Sequence, residues 1–197
     1  MNKNFKVIDL RKVMATLISA VGTSPMVVSE IIDELKKRGT QIDKVVLLVT
    51  QSPEINTAFY ALALDLKWNY GIKIERIDLP FEDVKSQEDH DAFVRIAREV
   101  IEREKSKDRV IVSVAGGRKT MSVGMYKAGI EAGVEEIYHI IAEEIPGTHA
   151  GPLSLLREYA TASLEEIYEG KIEPPESLKS RIYEEFHKPL TLHLIRV

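Results

Sequence analysis

At residues 110–121 the chain reads Val110-Ile111-Val112-Ser113-Val114-Ala115-Gly116-Gly117-Arg118-Lys119-Thr120-Met121. An apolar, strand-like run ends at two glycines, and Arg, Lys and Thr follow at the start of a helix-like segment. This order is typical of a phosphate-binding strand-loop-helix turn, because free amides at a helix start and a basic side chain both attract negative charge. The stretch therefore predicts an α/β fold that binds a polyanionic ligand.

Apolar runs of the same kind recur before and after this stretch. We predict strands over residues 13–21, 44–50, 73–78, 109–114 and 136–141, separated by segments whose apolar residues repeat at helical spacing. This alternation predicts the α/β class, with a Rossmann-like, open, mainly parallel sheet and helices on both faces. With the common strand order 3-2-1-4-5, the first and fourth strands are neighbours, and a ligand would bind at their carboxyl ends.

Two other predicted strands end in sequences that resemble each other. The first is followed by Gly22-Thr23-Ser24-Pro25, and the second by Gln51-Ser52-Pro53. Serine followed by proline is a common helix start, so both serines could act only as helix caps. Gly22 favours a ligand at the first turn, because glycine lets the backbone approach a bound group closely. We expect the loops 22–25 and 115–119 to face each other across one crevice.

Composition excludes several classes of site and partner. The 197 residues carry a formal net charge of −4, which argues against broad adhesion to long nucleic acids. Without cysteine, disulfides, thiol catalysis and cysteine-based zinc sites are excluded, and the five histidines lack metal-ligand spacing. The apolar runs are far shorter than the roughly 20 residues that span a bilayer. We therefore expect a cytoplasmic protein with no membrane partner, no metal and no cofactor.

Two familiar nucleotide-binding patterns are missing. The stretch around Lys119 is not a Walker-type loop, because Arg118 stands where that pattern requires a glycine. The first predicted strand is not followed by the glycine pattern of dinucleotide cofactors. The polyanionic ligand should therefore be neither a nucleoside triphosphate in a Walker site nor a redox dinucleotide.

The sequence pattern changes after residue 141. A turn-rich loop covers residues 146–152, and short helical stretches follow at 153–159, 163–169 and 175–187. The last residues, 190–197, alternate as a strand does, and could add an edge strand or pair with a partner subunit. We divide the chain into a Rossmann-like domain, residues 1–150, and a helical extension, residues 151–197, that is not an independent domain. The placement of residues 1–12 stays open.

The two glycine turns together resemble a known family. Gly22-Thr23-Ser24-Pro25 after the first strand, Gly116-Gly117-Arg118-Lys119-Thr120-Met121 after the fourth, and the α/β pattern between them look like the CARF domain. This is the CRISPR-associated Rossmann fold of type III CRISPR systems, and the resemblance covers about residues 13–145. It implies a homodimer that binds a cyclic oligoadenylate messenger where two crevices meet across a two-fold axis. Of the possible messengers, we expect cyclic tetraadenylate (cA4) rather than cyclic hexaadenylate (cA6).

The resemblance also implies roles for individual residues. Ring nucleases are the CARF proteins that cleave the messenger. Their catalytic serine and lysine lie in the same two turns and match Ser24 and Lys119 here. Arg118 could share the role of stabilising charge. Cleavage would need no metal, because a ribose 2′-hydroxyl attacks the adjacent phosphorus and leaves a 2′,3′-cyclic phosphate. The expected ligand-binding residues are Gly22, Thr23, Ser24, Gln51, Ser52, Gly116, Gly117, Arg118, Lys119 and Thr120.

The segment after residue 150 decides between the roles known for CARF proteins. Fewer than fifty residues remain, too few for a separate nuclease domain with its own core. Arg181 and His187 have the spacing of HEPN ribonucleases, but an amphipathic helix with Ile182, Tyr183 and Phe186 packed inward is the preferred interpretation. A stand-alone ring nuclease is the leading hypothesis. The alternatives are a sensor that binds without cleaving, and a small transcriptional regulator, although the tail is acidic.

Overall fold

The computed structural model describes residues 14–143 and 158–197. The strands are β1 Met14–Ala20, β2 Gln41–Val49, β3 Lys73–Asp78, β4 Val110–Ser113, β5 Ile137–Glu143 and β6 Thr191–Arg196. The helices are α1 Met26–Lys37, α2 Pro53–Asp65, α3 Gln87–Lys105, α4 Lys119–Glu131, α5 Thr161–Tyr168 and α6 Glu176–Phe186. Helix α2 continues into a π-helical turn, Leu66–Tyr70, that ends at Gly71 in the left-handed conformation. In the described segments, no helix combines the length and apolar character needed to cross a membrane.

The strands form one sheet in the order β3-β2-β1-β4-β5-β6. Strands β1 to β5 are parallel, and β6 runs antiparallel to β5 at the edge. The α/β class and the 3-2-1-4-5 order predicted from sequence are therefore confirmed. The predicted strand bounds differ at their ends: β2 begins three residues early, at Gln41, and β5 ends two residues late, at Glu143.

Alternation along the strands divides the core between the two faces of the sheet. Leu17 points to the face covered by α1, α2, α5 and α6, and Ile18 points to the face covered by α3 and α4. Helix α2 is apolar nearly all round because the sheet covers one side and α5 another. The core holds the helix starts in fixed positions at the carboxyl edge of the sheet.

The C-terminal segment packs onto the core. Strand β6 pairs with β5 from Glu143 to Tyr138, so the edge-strand alternative is confirmed for the last residues. Hydrogen bonds join α5 to α2, between the hydroxyls of Thr57 and Thr161 and from the Tyr60 hydroxyl to Glu165. The division of the chain at residue 150 stays a prediction, since the predicted boundary and the loop at 146–152 lie outside the described residues, as do residues 1–13.

Helix α6 corrects one expectation about the core. Ile182 and Phe186 are buried as predicted, but Tyr183 is 56% exposed rather than packed inward. Residues 182 and 186 are one helical turn apart, while the step to residue 183 rotates its side chain by about 100° toward solvent. There the Tyr183 ring stacks on the His187 ring, with 4.6 Å between centroids.

The two residues with HEPN-like spacing have separate partners. Arg181 pairs with Glu158, whereas His187 Nε2 lies 2.9 Å from Oδ1 of the fully buried Asp65. Asp65 also accepts hydrogen bonds from Ser29 and Asn69. The hydrogen bond to Asp65 raises the pKa of His187 above its usual range, and burial opposes this shift. His187 therefore ties the end of α6 to α2.

Candidate functional site at the carboxyl edge of the sheet

The loops after β1 and β4 lie in direct contact. A Cβ atom built on Gly22 would lie 2.7 Å from the backbone nitrogen of Gly117, closer than side chains tolerate. Gly117 adopts a φ of +81°, in the left-handed region that favours glycine. A Cβ on Gly116 would lie 1.8 Å from the carbonyl oxygen of Ala20. The three glycines thus allow a backbone-to-backbone approach that larger residues would prevent.

A cavity of about 250 Å³ opens where these loops meet. It is lined by Val21, Gly22, Thr23, Thr50, Ser52, Glu54, Ile55, Glu82, Asp83, Gly117, Arg118 and Met121. Five of the predicted ligand-binding residues are in this set: Gly22, Thr23, Ser52, Gly117 and Arg118. We call this space the inner cavity.

Lys119 and Thr120 line a different space. A wider, open cavity of about 540 Å³ is bounded by the start of α4 and by residues of the loop before α3 and its first turn, including Lys85 and His90. We call it the outer cavity. Lys119 is the first residue of α4, whereas Arg118 is the N-cap residue before it, with an extended backbone at φ −76° and ψ 160°, so the chain turns between the two side chains. The chain direction therefore sends Arg118 to the inner cavity and Lys119 to the outer one.

The remaining predicted residues line neither cavity. Ser24 is half-buried beside Pro25, Gln51 is exposed, and Gly116 is buried beneath the loops. The backbone N–H of Gln51 donates to the Phe81 carbonyl oxygen at 3.0 Å, which fastens the loop after β3 to the loop after β2. The roles of Ser24 and Lys119 at one shared site stay a prediction, because a single chain places Lys119 in the outer cavity.

Neither serine acts as a helix cap. Helix α1 has Pro25 at its N-cap, so Ser24 lies one position too early, and Ser52 at the N-cap of α2 makes no capping hydrogen bond. The expectation that serines could cap both helices is therefore wrong for these two residues. Pro53 does occupy the first turn of α2 as predicted. The N-cap residue of α4 is Arg118, and among the described residues its side chain makes no capping hydrogen bond either.

Helix α3 is the contrasting case. Ser86 accepts a hydrogen bond from the Asp89 backbone, and the Asp89 carboxylate accepts one from the Ser86 N–H, so a complete capping box occupies this helix start. Hydrogen bonds from the Lys85 backbone N–H and from Ser86 lower the pKa of Asp89. The amides at the start of α3 are thus partly used, whereas those at the starts of α1, α2 and α4 have no such side-chain partner among the described residues.

The inner cavity has acidic walls that sequence reasoning missed. Glu82 and Asp83 belong to the loop after β3, and Glu54 to the first turn of α2. Arg118 Nε donates to Asp83 Oδ1 at 2.6 Å. The rule that strand ends form the site could have found the third loop, because β3 ends at the same edge of the sheet as β1 and β4. Within residues 14–143 and 158–197, no group of three His, Asp or Glu side chains could hold a metal ion.

Comparison with known proteins identifies the family. Residues 24–171 match the family described as CRISPR-associated protein NE0113, which is well over half of the chain. The chain belongs to the NE0113 family. A CRISPR system ring nuclease, SSO2081 of Saccharolobus solfataricus, is 30% identical over 136 residues, covering 66% of this chain and 74% of that protein.

Two solved structures share the fold of this NE0113-family chain. Csm6 of Enterococcus italicus, bound to cyclic hexa-2′-fluoro-hexa-dAMP, has a TM-score of 0.56 at 17% identity, covering 93% of this chain and 42% of Csm6. Protein VC1899 of Vibrio cholerae has a TM-score of 0.50 at 13% identity, covering 64% of this chain and 30% of that protein. The chain thus spans less than half of either structure, and the likeness shows the fold alone. The resemblance to CARF proteins is confirmed.

Proposed function

We propose that this NE0113-family protein is a ring nuclease: a homodimer that binds cyclic oligoadenylate and cleaves it to linear products without a metal ion. The observation that carries the proposal is the contact between Gly22 and Gly117, which joins the two turns expected to bind the ligand at one edge of the sheet. A 30% identical relative is itself a ring nuclease. The starts of α1, α2 and α4 add helix-dipole charge that favours phosphate.

The chain's own residues can supply what such a cleavage requires. A ribose 2′-oxygen of the messenger bonds to the adjacent phosphorus, and the bond from phosphorus to the 5′-oxygen breaks, giving a 2′,3′-cyclic phosphate and a 5′-hydroxyl. The 2′-hydroxyl loses a proton and the leaving oxygen gains one. Lys119 would stabilise the charge on the phosphoryl oxygens, and Ser24 would hold the phosphate in line for attack.

A second copy of the chain would complete this site. Val123, Tyr126 and Ile130 repeat at helical spacing on the outward face of α4, where Val123 and Ile130 are 62% and 53% exposed. Val123 also lines the outer cavity beside Lys119, four residues earlier on the same face. A two-fold contact through this stripe would cover apolar surface and bring two outer cavities together.

The uncovered part of the sheet extends this surface. Ile137 lies under α4, because a Cβ on Gly129 would be 2.8 Å from its Cδ1 atom. Ile141 is four residues further along β5 and so shares that face, and Ile195 of β6 pairs with His139 on it. Ile141 and Ile195 are both exposed. The α4 stripe and these two side chains form one apolar side of the molecule that suits an isologous partner.

The deciding experiment follows cA4 and cA6 in EDTA and measures their conversion to linear species. We expect cleavage by the wild-type protein and a rate about 10²–10³ lower for Lys119→Ala, the range seen when one transition-state donor is removed. Lys179→Ala is the control, since Lys179 is an exposed lysine on α6, which packs on the opposite face of the sheet from α4. Ser24→Ala should also slow cleavage.

Three other results of this cleavage experiment would each change the proposed function or its residues. Tight binding without turnover would favour a sensor that passes the signal to another protein. Unchanged turnover in both Lys119→Ala and Ser24→Ala would mean that other residues carry the reaction. Neither binding nor turnover with either ring would refute the proposed function.

A further inference from the structure

The ion pair between Arg118 and Asp83 lies at the boundary of the two cavities. Asp83 and Arg118 line the inner cavity, while the next residues of both loops, Val84 and Lys119, line the outer one. The pair also links the loop after β3 to the start of α4. A ligand that occupied both cavities would therefore lie close to this pair.

Asp83 is held in place from its own side. Its Oδ1 atom accepts the Arg118 Nε–H at 2.6 Å and the backbone N–H of Val84 at 2.9 Å. The side chain of Asp83 is only 21% exposed, whereas that of Arg118 is 68% exposed. The carboxylate is therefore the more buried partner, held by two hydrogen bonds, and it restrains the exposed guanidinium.

The contact with Asp83 uses one end of the Arg118 guanidinium. Arginine carries five N–H donors in a planar fork, and Nε provides only one of them. The two terminal nitrogens of Arg118 have no hydrogen-bond partner among the described residues. Those two nitrogens can together bind two oxygens of a phosphate side by side. Asp83 thus holds the arginine through Nε, and this end-on mode of phosphate binding does not use Nε.

Stability does not account for this arrangement. Ion pairs with so exposed a partner contribute little to folding, because solvent screens them and side-chain ordering opposes them. A carboxylate beside a phosphate site also repels the ligand. The repulsion is tolerable only if the carboxylate improves binding in another way, and ordering a long, flexible arginine before the ligand arrives is such a way.

We propose that Asp83 is a positioning residue, which orients the Arg118 guanidinium so that its terminal nitrogens bind a messenger phosphate between the two cavities. This inference rests on the proposed function. It makes Asp83 favourable for binding despite its charge. Glu82 lines the same inner cavity without contacting Arg118, so its charge should only repel the ligand and should not favour binding.

The test is a double-mutant cycle on cA4 affinity, measured in EDTA with Lys119→Ala as the background so that turnover is slow. Asp83→Ala should weaken binding about 10-fold, within the range for coupled neighbours, but have no further effect when combined with Arg118→Ala. Asp83→Asn should restore most of the affinity, because its amide oxygen can still accept the Nε–H. Glu82→Ala, the control for charge, should not weaken binding.

Several results would overturn this assignment. If Asp83→Ala and Asp83→Asn both bind more tightly than their parent, repulsion dominates and the positioning role is wrong. If the effects of Asp83→Ala and Arg118→Ala add independently, Asp83 does not act through Arg118. If the wild-type protein binds and cleaves cA4, tighter binding by the Asp83 variants or independent effects of the two substitutions would refute only the role of Asp83. If it neither binds nor cleaves cA4 or cA6, the proposed function fails as well.

Discussion

Replacing Gly22 by alanine is the most direct perturbation of the proposed site. Gly22 does not have a positive φ, so alanine is compatible with its backbone conformation. The only obstacle is the neighbouring loop, since the new methyl carbon would lie 2.7 Å from the Gly117 nitrogen. To reach ordinary contact at 3.4 Å, the two loops must separate by about 0.7 Å.

The magnitude follows from this displacement. Inserting one carbon into a close-packed contact costs about 1–3 kcal/mol of unfolding free energy. For a domain of this size that is a melting temperature lower by roughly 2–12 °C. A displacement approaching 1 Å of catalytic groups costs about 10²-fold in rate. We therefore expect Gly22→Ala to fold and to cleave cyclic oligoadenylate about two orders of magnitude more slowly.

Gly39→Ala separates lost stability from lost geometry. Gly39 has a φ of +82° and nothing within 4 Å of its Cβ position, so alanine there is strained without displacing a neighbour. That strain costs about 1–2 kcal/mol, close to the cost at Gly22. Gly39 follows the C-terminal end of α1, away from the strand ends that form the site. We expect this variant to lose melting temperature but to keep its rate.

The assay measures melting temperature and single-turnover cleavage of cA4 for both variants. Gly22→Ala cleaving at the wild-type rate would refute the argument that close approach of the two loops builds the site. An equal loss of rate in Gly39→Ala would instead attribute the effect to general destabilisation.

Two further predictions concern the dimer and the C-terminal helix. Ile130→Glu should give a monomer in light scattering at micromolar concentration and should lose cleavage while keeping its fold. The control Ile172→Glu, at another exposed isoleucine, should keep both the dimer and the cleavage. A dimer that persists in Ile130→Glu would place the interface elsewhere. The hydrogen bond with Asp65 raises the folded-state pKa of His187, so its stabilising contribution is complete below the unfolded pKa of about 6.5 and is lost as pH rises through the folded value. Urea unfolding at several pH values should show this loss in the wild type and a flatter profile for His187→Ala; identical profiles would contradict it.

The fold was predictable because strong local signals agreed with one rule of topology. Buried parallel strands appear as short apolar runs, such as residues 110–114, that end at glycine or a turn. The crossover rules then make the strand order and the contact between the loops after β1 and β4 nearly unavoidable. For this reason the sequence alone predicts that the loops containing Gly22 and Gly117 face each other, although the two residues are far apart in sequence.

The division of the site into two cavities could not be predicted in the same way. It depends on where α4 begins, because Arg118 is an extended N-cap residue whereas Lys119 is the first helical residue, and the chain turns between them. The acidic walls were missed for another reason: Glu82 and Asp83 lie in an irregular loop, where no periodicity reports direction.

The position of Lys119 supports the proposal that a second copy of the chain completes the site. If a single protomer were sufficient, the proposed catalytic lysine should face the inner cavity with Thr23 and Arg118, where the glycine loops meet. Lys119 instead shares a helical face with Val123, next to exposed apolar side chains that a second copy would cover. A ring with rotational symmetry needs the same groups from two directions. In the proposed dimer, the inner cavities would hold the messenger at two opposite places, and Lys119 of each protomer would act near the axis between them.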